Sequence, residues 1–356
     1  MSRFRKKVEE IHFSKKDSLS VLKPLSSIYG SLMRLRREIY NRNILKRRTS
    51  GCFTIAVGNL TYGGTGKTPV VINLAEMLSK KGLRIGIIHS GYGSSQHRSR
   101  RAKRVTDSKN GPEVGDEATE LFVRARDALV YSCRDRLDAI ERAIMDGGVN
   151  VCILDDAFQY LKIDPDINIL VVDLNERFGN GQCLPAGPMR EPKEAIRDAD
   201  IIWFVTHKDH KRDICTEKEF LSINAALKFI YSQFRLESII NPKENKTLDS
   251  SKIEGNIVSF AGIGRGHRFT DMLEALDLKT SEHLSFSDHH RYTRDDIELI
   301  NDTARRHKAS YVITTEKDYL RDASLLEKIE NLHILRVFLE ITEGKNELEN
   351  LCGSLT

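Results

Sequence analysis

The sequence lacks the features of a membrane-spanning, fibrous or secreted protein. Its 356 residues include only 8 prolines and 23 glycines without a repeat. No uncharged apolar run reaches the roughly 18 residues that a spanning helix needs. The 6 cysteines form no C-x-x-C pair, so zinc-site spacing is absent and a reducing compartment is indicated. No apolar stretch of a secretory signal follows the basic N-terminus, so we expect a cytoplasmic protein.

The composition is that of a globular protein whose positive charge is concentrated at one end. Hydrophobic residues make up 40% and charged residues 30%, and at roughly 100–200 residues per domain the length favours two domains. Residues 1–50 hold 14 Lys and Arg against 4 Asp and Glu, whereas the rest holds 42 against 47. Because the body carries no excess of basic residues, we expect no nucleic-acid partner.

The basic segment contains an amphipathic helix, predicted over residues 24–48. Its apolar residues recur at steps of three and four: Leu25, Ile28, Tyr29, Leu32, Leu35 and Ile39. Arginines and lysines crowd its second half, from Arg34 to Arg48. Such a helix suits the surface of an anionic membrane. A helix packed on the body with its basic side in water is the alternative, and one helix can do both.

A strand, a glycine-rich loop and a helix follow one another at residues 53–57, 58–68 and 69–81. Loops of this kind hold phosphates with backbone N–H groups and the helix N-terminus. We expect the cradle to be formed by Gly63, Gly64, Thr65 and Gly66. Lys67 is predicted to reach the β- and γ-phosphates and Thr68 to bind Mg²⁺. The strict G-x-x-x-x-G-K-[ST] pattern has Gly where this chain has Thr61.

A second acidic element ends the apolar run at residues 150–154 with Asp155 and Asp156. Active groups of open α/β sheets lie beyond the carboxyl ends of the strands. A carboxylate there completes a Mg²⁺ shell with Thr68. Adjacent side chains on a strand point in opposite directions, so one of the two is expected to contact the metal, with Asp155 as first choice.

The remaining pattern predicts an α/β fold: a P-loop-containing, mostly parallel sheet flanked by helices, with a second, smaller α/β domain. In the first domain we expect strands at 84–89, 167–173 and 201–206 and helices near 114–130 and 134–147. In the second we expect helices near 268–276 and 293–307 and strands near 256–262, 310–314 and 332–338. The predicted divisions are an N-terminal segment at 1–50, a P-loop domain at 51–212, a polar crossing at 213–255 and a C-terminal domain at 256–356.

Ordered blocks across nearly the whole chain carry a resemblance to a known family. They are Val57–Thr61 with Gly63–Pro69, Gly91–Gly93, Val114–Ala118, Asp155–Gln159, Phe178–Gly181 with Leu184–Pro192, Phe260–Gly264, Phe286–His290 and Thr315–Asp318. This set resembles the tetraacyldisaccharide 4′-kinases, enzymes of the lipid A pathway in Gram-negative bacteria.

The resemblance implies an ATP- and Mg²⁺-dependent kinase. It would transfer the γ-phosphoryl of ATP to the 4′-hydroxyl of tetraacyldisaccharide 1-phosphate, an acylated glucosamine disaccharide, and so form lipid IVA. It marks Asp116 as general base, paired with a histidine of the second domain, for which we prefer His289 over His290. It also makes Arg190 a candidate for binding substrate and Glu191 a candidate metal ligand. Tyr92 is a candidate for lining the acceptor or the nucleotide pocket. A cleft between the two domains would close around the substrate.

Two departures from the family pattern lie near this site. The family has Ser-Arg where this chain has His89-Ser90, and Gly and His where it has Ala157 and Tyr160. Candidates to replace the lost contacts are Tyr160, Arg98, Arg100 and Arg101.

A lipid acceptor would place the protein, expected to be a monomer, at the cytoplasmic leaflet of the inner membrane as a peripheral protein. A regulatory NTPase that binds a protein partner at a membrane is the alternative, and a nucleotide-binding module without turnover is a third. GTPases are disfavoured because the segment at 206–209 does not follow their N/T-K-x-D order, and partition-type ATPases because Tyr62 replaces their first lysine.

Overall fold

The computed structural model describes residues 11–13, 20–92, 94–99, 101–107, 111–207, 212–249, 253–263 and 266–353. It divides the chain into two compact units. The second comprises residues 207–209 and Gln233–Glu340, and the first comprises the rest, including the segment from Ile341 onward. The predicted C-terminal domain, 256–356, included this last segment, whereas the structure assigns the segment to the first unit.

The first unit is built on a mostly parallel sheet. Its strands are β1 (Phe53–Gly58), β2 (Ile85–His89), β3 (Lys103–Arg104), β4 (Ala128–Ser132), β5 (Val151–Leu154), β6 (Ile167–Asp173), β7 (Ile201–Thr206) and the beginning of β8 (Lys228–Asn241). The order across the sheet is β3-β4-β2-β5-β1-β6-β7-β8. Neighbours from β4 to β7 run parallel, and β3 is antiparallel to β4. The carboxyl ends of β1, β2 and β5 therefore meet at one edge.

Helices and hydrophobic clusters accompany this sheet. The helices are α1 (Lys23–Asn41), α2 (Lys67–Ser79), α3 (Gly111–Val114), α4 (Asp116–Arg124), α5 (Arg136–Gly147) and α6 (Ile214–Leu221), with 3₁₀ turns at Ser20–Leu22, Ser95–Arg98 and Lys193–Asp198. One cluster gathers around Leu170, Phe204 and Phe220, and another around Ile88, Tyr131 and Leu154. Strands buried this thoroughly read as continuous apolar runs, which explains why most of them were predictable.

The second unit is a smaller α/β assembly. Its further strands are β9 (Lys246–Leu248), β10 (Asn256–Ala261), β11 (Thr280–Ser285), β12 (Ala309–Thr315) and β13 (Leu332–Glu343), and its helices are α7 (Gly266–Ala275), α8 (Arg294–Arg306) and α9 (Glu316–Leu326). The strand order is β11-β10-β12-β13-β8, with β9 paired to β8. A final helix, α10 (Lys345–Cys352), belongs to the first unit.

The α/β class is confirmed, two predicted helices end earlier than expected, and the predicted crossing contains regular elements. The helix expected over 24–48 ends at Asn41, where the chain turns through Asn43 in the left-handed region (φ 56°). The helix expected near 114–130 ends at Arg124, and β4 begins four residues later. The polar crossing at 213–255 contains α6, β9 and the 14-residue strand β8. Exposed charged residues along β8 hid its strand pattern, because only part of the strand is buried.

The N-terminal helix α1 packs on the first unit with one side and exposes an apolar stripe on the other. Ser26, Gly30, Arg37 and Tyr40 are buried on the inner side. The stripe consists of Leu25, Ile28, Leu32 and Leu35, each more than half exposed. Among the described residues, no helix combines the length and the apolar character needed to cross a bilayer.

Candidate phosphoryl-transfer site

The phosphate loop joins β1 to α2 as predicted, with the helix beginning at Lys67 itself. Gly63 (φ 96°) and Gly66 (φ 89°) adopt left-handed backbone conformations that glycine permits. Gly58 lies so close to Phe158 that a Cβ there would come within 2.5 Å of the Phe158 Cβ. The glycines thus shape the loop. Gly66, directly before the helix, places Lys67 in the first turn of α2.

Asn59 organises the interior of this loop, a role that the sequence analysis missed. Its buried amide donates to the Thr61 carbonyl (2.6 Å) and to the Thr65 hydroxyl (2.9 Å). Its side-chain oxygen accepts from Lys67 Nζ at 3.3 Å. The asparagine therefore holds both the loop backbone and the lysine, and its position directly after β1 is the signal that could have revealed it.

The two carboxylates after β5 face different partners. Asp156 Oδ1 lies 3.6 Å from Lys67 Nζ, and both Asp156 oxygens accept from Arg190 at 3.0 Å. Asp155 is buried and accepts from the His89 ring at 2.9 Å. Of the two carboxylates, Asp156 is therefore the one beside Lys67. That one of them contacts the metal, with Asp155 as first choice, stays a prediction.

The turn carrying these carboxylates is held by a buried arginine. Arg136 donates to the Asp155 carbonyl (3.0 Å) and the Asp156 carbonyl (2.8 Å), and its guanidinium lies over the Tyr160 ring at 4.6 Å. Asp156 has a φ of 47°, so the turn is a strained conformation that needs such support. Tyr160, one of the departures from the family pattern, thus packs on the arginine that holds the turn.

Cations keep Asp156 ionised. Burial alone would raise the pKa of its carboxyl, but the charges of Lys67 and Arg190, the Arg190 hydrogen bond and the charge of Arg136 outweigh that effect. The pKa of Asp156 is consequently held well below its usual range. An ionised carboxylate next to Lys67 is suited to binding a metal–nucleotide complex.

The predicted base Asp116 is the first residue of α4, directly after Gly115, whose φ of 105° requires glycine. A Cβ on Gly115 would lie 3.4 Å from the Tyr92 carbonyl oxygen and 3.8 Å from His89 Nε2. The start of α4 therefore lies against the segment after β2. Tyr92 in that segment has a side chain 75% exposed, and its ring contacts His97 edge-on. Gly93 and Arg100, which the sequence analysis also named, lie outside the described residues.

His89 lies between two carboxylates at this edge. Its Nδ1 is bonded to Asp155, and its Nε2 lies 4.0 Å from Glu117 Oε2. Burial opposes the charged imidazole, but the hydrogen bond and charge of Asp155, with the charge of Glu117, raise the pKa of His89. Neither His89 nor Glu117 was a candidate from the sequence.

Glu191 is buried against the N-terminal helix α1. Its carboxylate, 1% exposed, accepts from Arg37 Nε at 2.9 Å and from Arg37 Nη2, and Arg36 Nη1 lies 3.7 Å away. Arg37 also donates to Asp198 at 2.6 Å. Burial raises the pKa of Glu191 against the opposing charge of Arg37. The carboxylate therefore joins α1 to the segment that carries Arg190. Its role as a metal ligand stays a prediction.

Replacing Arg37 by methionine is expected to lower the free energy of unfolding by about 3–5 kcal/mol, because the change leaves the buried Glu191 carboxylate without its main partner. Urea denaturation followed by circular dichroism measures this loss. The matched control is Arg34→Met on the same helix, since Arg34 pairs with Glu194 at 3.0 Å but both side chains are about half exposed. An exposed pair of this kind contributes about 0–1 kcal/mol. Equal losses in the two variants would contradict the prediction.

The two neighbouring histidines of the second unit have different environments. His290 Nε2 is bonded to Asp296 at 2.9 Å, and its ring stacks on Phe286. His289 has a side chain 45% exposed and lies in the left-handed region (φ 56°). The backbone around this turn is supported by Arg321, which donates to the His290 carbonyl at 3.3 Å and to Asp318 at 2.8 Å. His290 is engaged in structure, which favours His289 as the functional one. Its pairing with Asp116 stays a prediction.

Comparisons with known proteins point to one family over nearly the full chain. Residues 18–354 match the family model LpxK, described as tetraacyldisaccharide-1-P 4′-kinase. A tetraacyldisaccharide 4′-kinase of Desulfatibacillum aliphaticivorans is 33% identical, with 97% of this chain and 96% of the relative covered. One of Syntrophus aciditrophicus is 34% identical, with coverages of 90% and 88%.

A solved structure gives the same result. The crystal structure of LpxK from Aquifex aeolicus in complex with ATP superposes with a TM-score of 0.71 at 26% identity, covering 94% of this chain and 98% of that one. The fold, the phosphate loop and the two carboxylates after β5 are thus found in a chain whose likeness to these kinases extends from end to end. The protein belongs to the tetraacyldisaccharide 4′-kinase family.

Proposed function

We propose that this protein transfers the γ-phosphoryl group of ATP to the 4′-hydroxyl of tetraacyldisaccharide 1-phosphate, forming lipid IVA in lipid A biosynthesis. The observation that carries the proposal is the placement of Lys67 and Asp156 at the mouth of a glycine-shaped loop, in a chain of this family. Phosphoryl transfer needs mainly positioning and neutralisation of charge, and both are available from these residues.

The residues around the loop fit a magnesium nucleotide. Thr68 and Asp156 offer a hydroxyl and an ionised carboxylate, the hard oxygen donors that Mg²⁺ prefers. The metal supplies neutralisation of the charge on the phosphate oxygens when it is bound. Lys67, held by Asn59 and Asp156, is in position to bind the phosphates, with Gly63, Gly64, Thr65 and Gly66 supplying the backbone around them. Arg190 keeps Asp156 in place and brings a second cation to the same point.

Asp116 is the proposed base that accepts the proton of the acceptor hydroxyl. A sugar hydroxyl attacks more readily when a carboxylate accepts its proton. Asp116 begins α4 next to the segment of Tyr92, which supports a shared role of the two residues at the acceptor. His289 is proposed as the partner that orients this base.

The decisive experiment measures ATP turnover with and without the lipid acceptor. Labelled ATP incubated with tetraacyldisaccharide 1-phosphate is expected to give labelled lipid, and consumption of ATP should depend on the acceptor. Slow hydrolysis that the lipid leaves unchanged would favour a regulatory NTPase. Binding of ATP without turnover would favour a nucleotide-binding module.

A lipid acceptor also gives a role to the exposed stripe of α1. Four apolar side chains, Leu25, Ile28, Leu32 and Leu35, point away from the body, while arginines flank them. An amphipathic helix of this type lies at the surface of an anionic bilayer. We propose that the protein associates peripherally with the cytoplasmic leaflet of the inner membrane through this stripe, and acts as a monomer.

Replacing Ile28, Leu32 and Leu35 together by serine is expected to weaken binding to vesicles containing anionic phospholipid by about 100-fold. Half-burial of each side chain in the membrane is worth roughly 1 kcal/mol, so three changes remove about 3 kcal/mol. Vesicle co-sedimentation measures the change. Met145→Ser is the control, because Met145 is 80% exposed on α5, outside the stripe. Unaltered binding of the triple variant would show that α1 serves only in packing.

A further inference from the structure

Three metal-binding side chains converge at the sheet edge beside the phosphate loop. His89 ends β2, Asp155 follows β5, and Glu117 is the second residue of α4. One ligand atom of each lies within 4.8 Å of the others, and no second group of this kind occurs in the part of the chain that the structure describes. The paired strands β2 and β5, in register at Ile88 and Leu154, fix the first two residues relative to each other.

The histidine ring is oriented by Asp155. An ionised carboxylate only accepts hydrogen bonds, so the 2.9 Å contact to Asp155 Oδ2 places the donating N–H on His89 Nδ1. The opposite nitrogen, Nε2, is buried without a hydrogen-bond partner. This carboxylate–imidazole arrangement is the one that presents the far nitrogen of a histidine to a metal ion.

The distance between Nε2 and Glu117 fits a shared ion. At 4.0 Å, His89 Nε2 and Glu117 Oε2 are too far apart for a hydrogen bond. Metal–ligand bonds of about 2.0–2.2 Å separate two ligands of one ion by at most about 4.0–4.4 Å, so a small movement of Glu117 toward His89 gives both a shared ion. His89 has a side chain 2% exposed, whereas that of Glu117 is 32% exposed, so an ion can reach the site from the Glu117 side.

The charge at this point also favours a cation. Asp155 and Glu117 supply two carboxylates, and Arg136 is the nearby cation, with its guanidinium engaged by the Asp155 and Asp156 carbonyls. Imidazole nitrogen combined with carboxylate oxygen is a donor set that suits first-row transition ions better than Mg²⁺.

We propose that His89 Nε2 and the Glu117 carboxylate bind a divalent transition-metal ion, with Asp155 orienting the imidazole. This site is distinct from the magnesium nucleotide site proposed at Asp156 and Thr68. Because Glu117 directly follows Asp116, the ion fixes the first turn of α4, which carries the proposed base. The inference stands apart from the proposed function, since binding is measured without nucleotide or acceptor.

Two variants, one of His89 and one of Glu117, separate metal binding from simple support of Asp155. His89→Asn keeps a side-chain N–H close to the position of Nδ1 and removes Nε2. Glu117→Gln keeps the size of the side chain and removes its charge. If His89 only supports Asp155, the asparagine variant binds metal as the unaltered protein does.

Mn²⁺ titration of the metal-free, full-length protein, followed by electron paramagnetic resonance, tests the site. We expect one Mn²⁺ bound per chain, with ¹⁴N modulation in the pulsed spectrum from the imidazole. His89→Asn should abolish the ¹⁴N modulation and weaken binding at least tenfold, and Glu117→Gln should weaken binding about tenfold while the modulation persists. Circular dichroism checks that each variant is folded, and the glutamine variant decides the matter should the asparagine variant not fold. Absence of ¹⁴N modulation in the unaltered protein, or unchanged Mn²⁺ affinity in the folded variants, would overturn the proposal.

Discussion

Replacing Lys67 by alanine is expected to lower the rate of phosphoryl transfer by at least about 10²–10³-fold. Removal of one group that stabilises developing charge in a water-poor site has a cost of this order. Lys67 is well placed for such a role, because its side chain is 14% exposed and its Nζ lies between Asn59 and Asp156. The labelled-ATP assay with the lipid acceptor measures the loss.

Lys80→Ala provides the matched control for this variant. Lys80 is an exposed lysine just beyond the other end of α2, so its loss removes the same charge away from the loop. Its turnover should stay within about twofold of the unaltered protein, as surface changes are generally mild. Full activity of Lys67→Ala would remove the phosphate-loop assignment itself, whatever the family of the chain.

The elements that could be predicted from the sequence are those with strong local signals. The strands β6 and β7 are uninterrupted apolar runs and were predicted with the bounds that the structure has. The phosphate loop could be predicted from its glycines, since Gly63 and Gly66 both adopt a positive φ. In contrast, α1 ends without glycine or proline, through Asn43, and the pattern of apolar residues continues past the true end.

The site could be predicted as a set of residues but not as a set of contacts. Alternation along a strand indicates that Asp155 and Asp156 face different ways, yet only the positions of Lys67 and Arg190 show which carboxylate faces the loop. Likewise the family resemblance made Glu191 a candidate metal ligand, but the sequence did not indicate its ion pair with Arg37. Arg37 lies 154 residues away in the chain, a distance at which sequence spacing carries no information.

The same reasoning explains why His89 was overlooked. In the sequence it is only a departure from a family pattern at the end of an apolar strand. Its neighbours Asp155 and Glu117 come from two other elements, and the sheet order that joins β2 to β5 is not visible in the sequence. A buried ionisable residue whose partners are all distant in the chain is beyond local pattern analysis.

The second large effect is expected for Asp116→Asn, with turnover lowered by about 10²–10⁴-fold while ATP binding is retained. General base catalysis contributes rate factors of this size. Asparagine keeps the shape of the side chain at the start of α4 and removes its ability to accept a proton. Single-turnover transfer at saturating ATP and acceptor measures the rate, and calorimetry measures ATP affinity separately.

A change confined to the rate is what distinguishes a base from a nucleotide ligand. Asp127→Asn is the matched control, because Asp127 is exposed in the turn after the same helix. This change removes one negative charge, as Asp116→Asn does. Its turnover should be unaltered. If Asp116→Asn lost ATP affinity and kept its rate at saturating ATP, Asp116 would belong to the nucleotide site. If neither quantity changed, the acceptor proton would have to leave through another group, and the arrangement around Gly115 would serve only to position the helix.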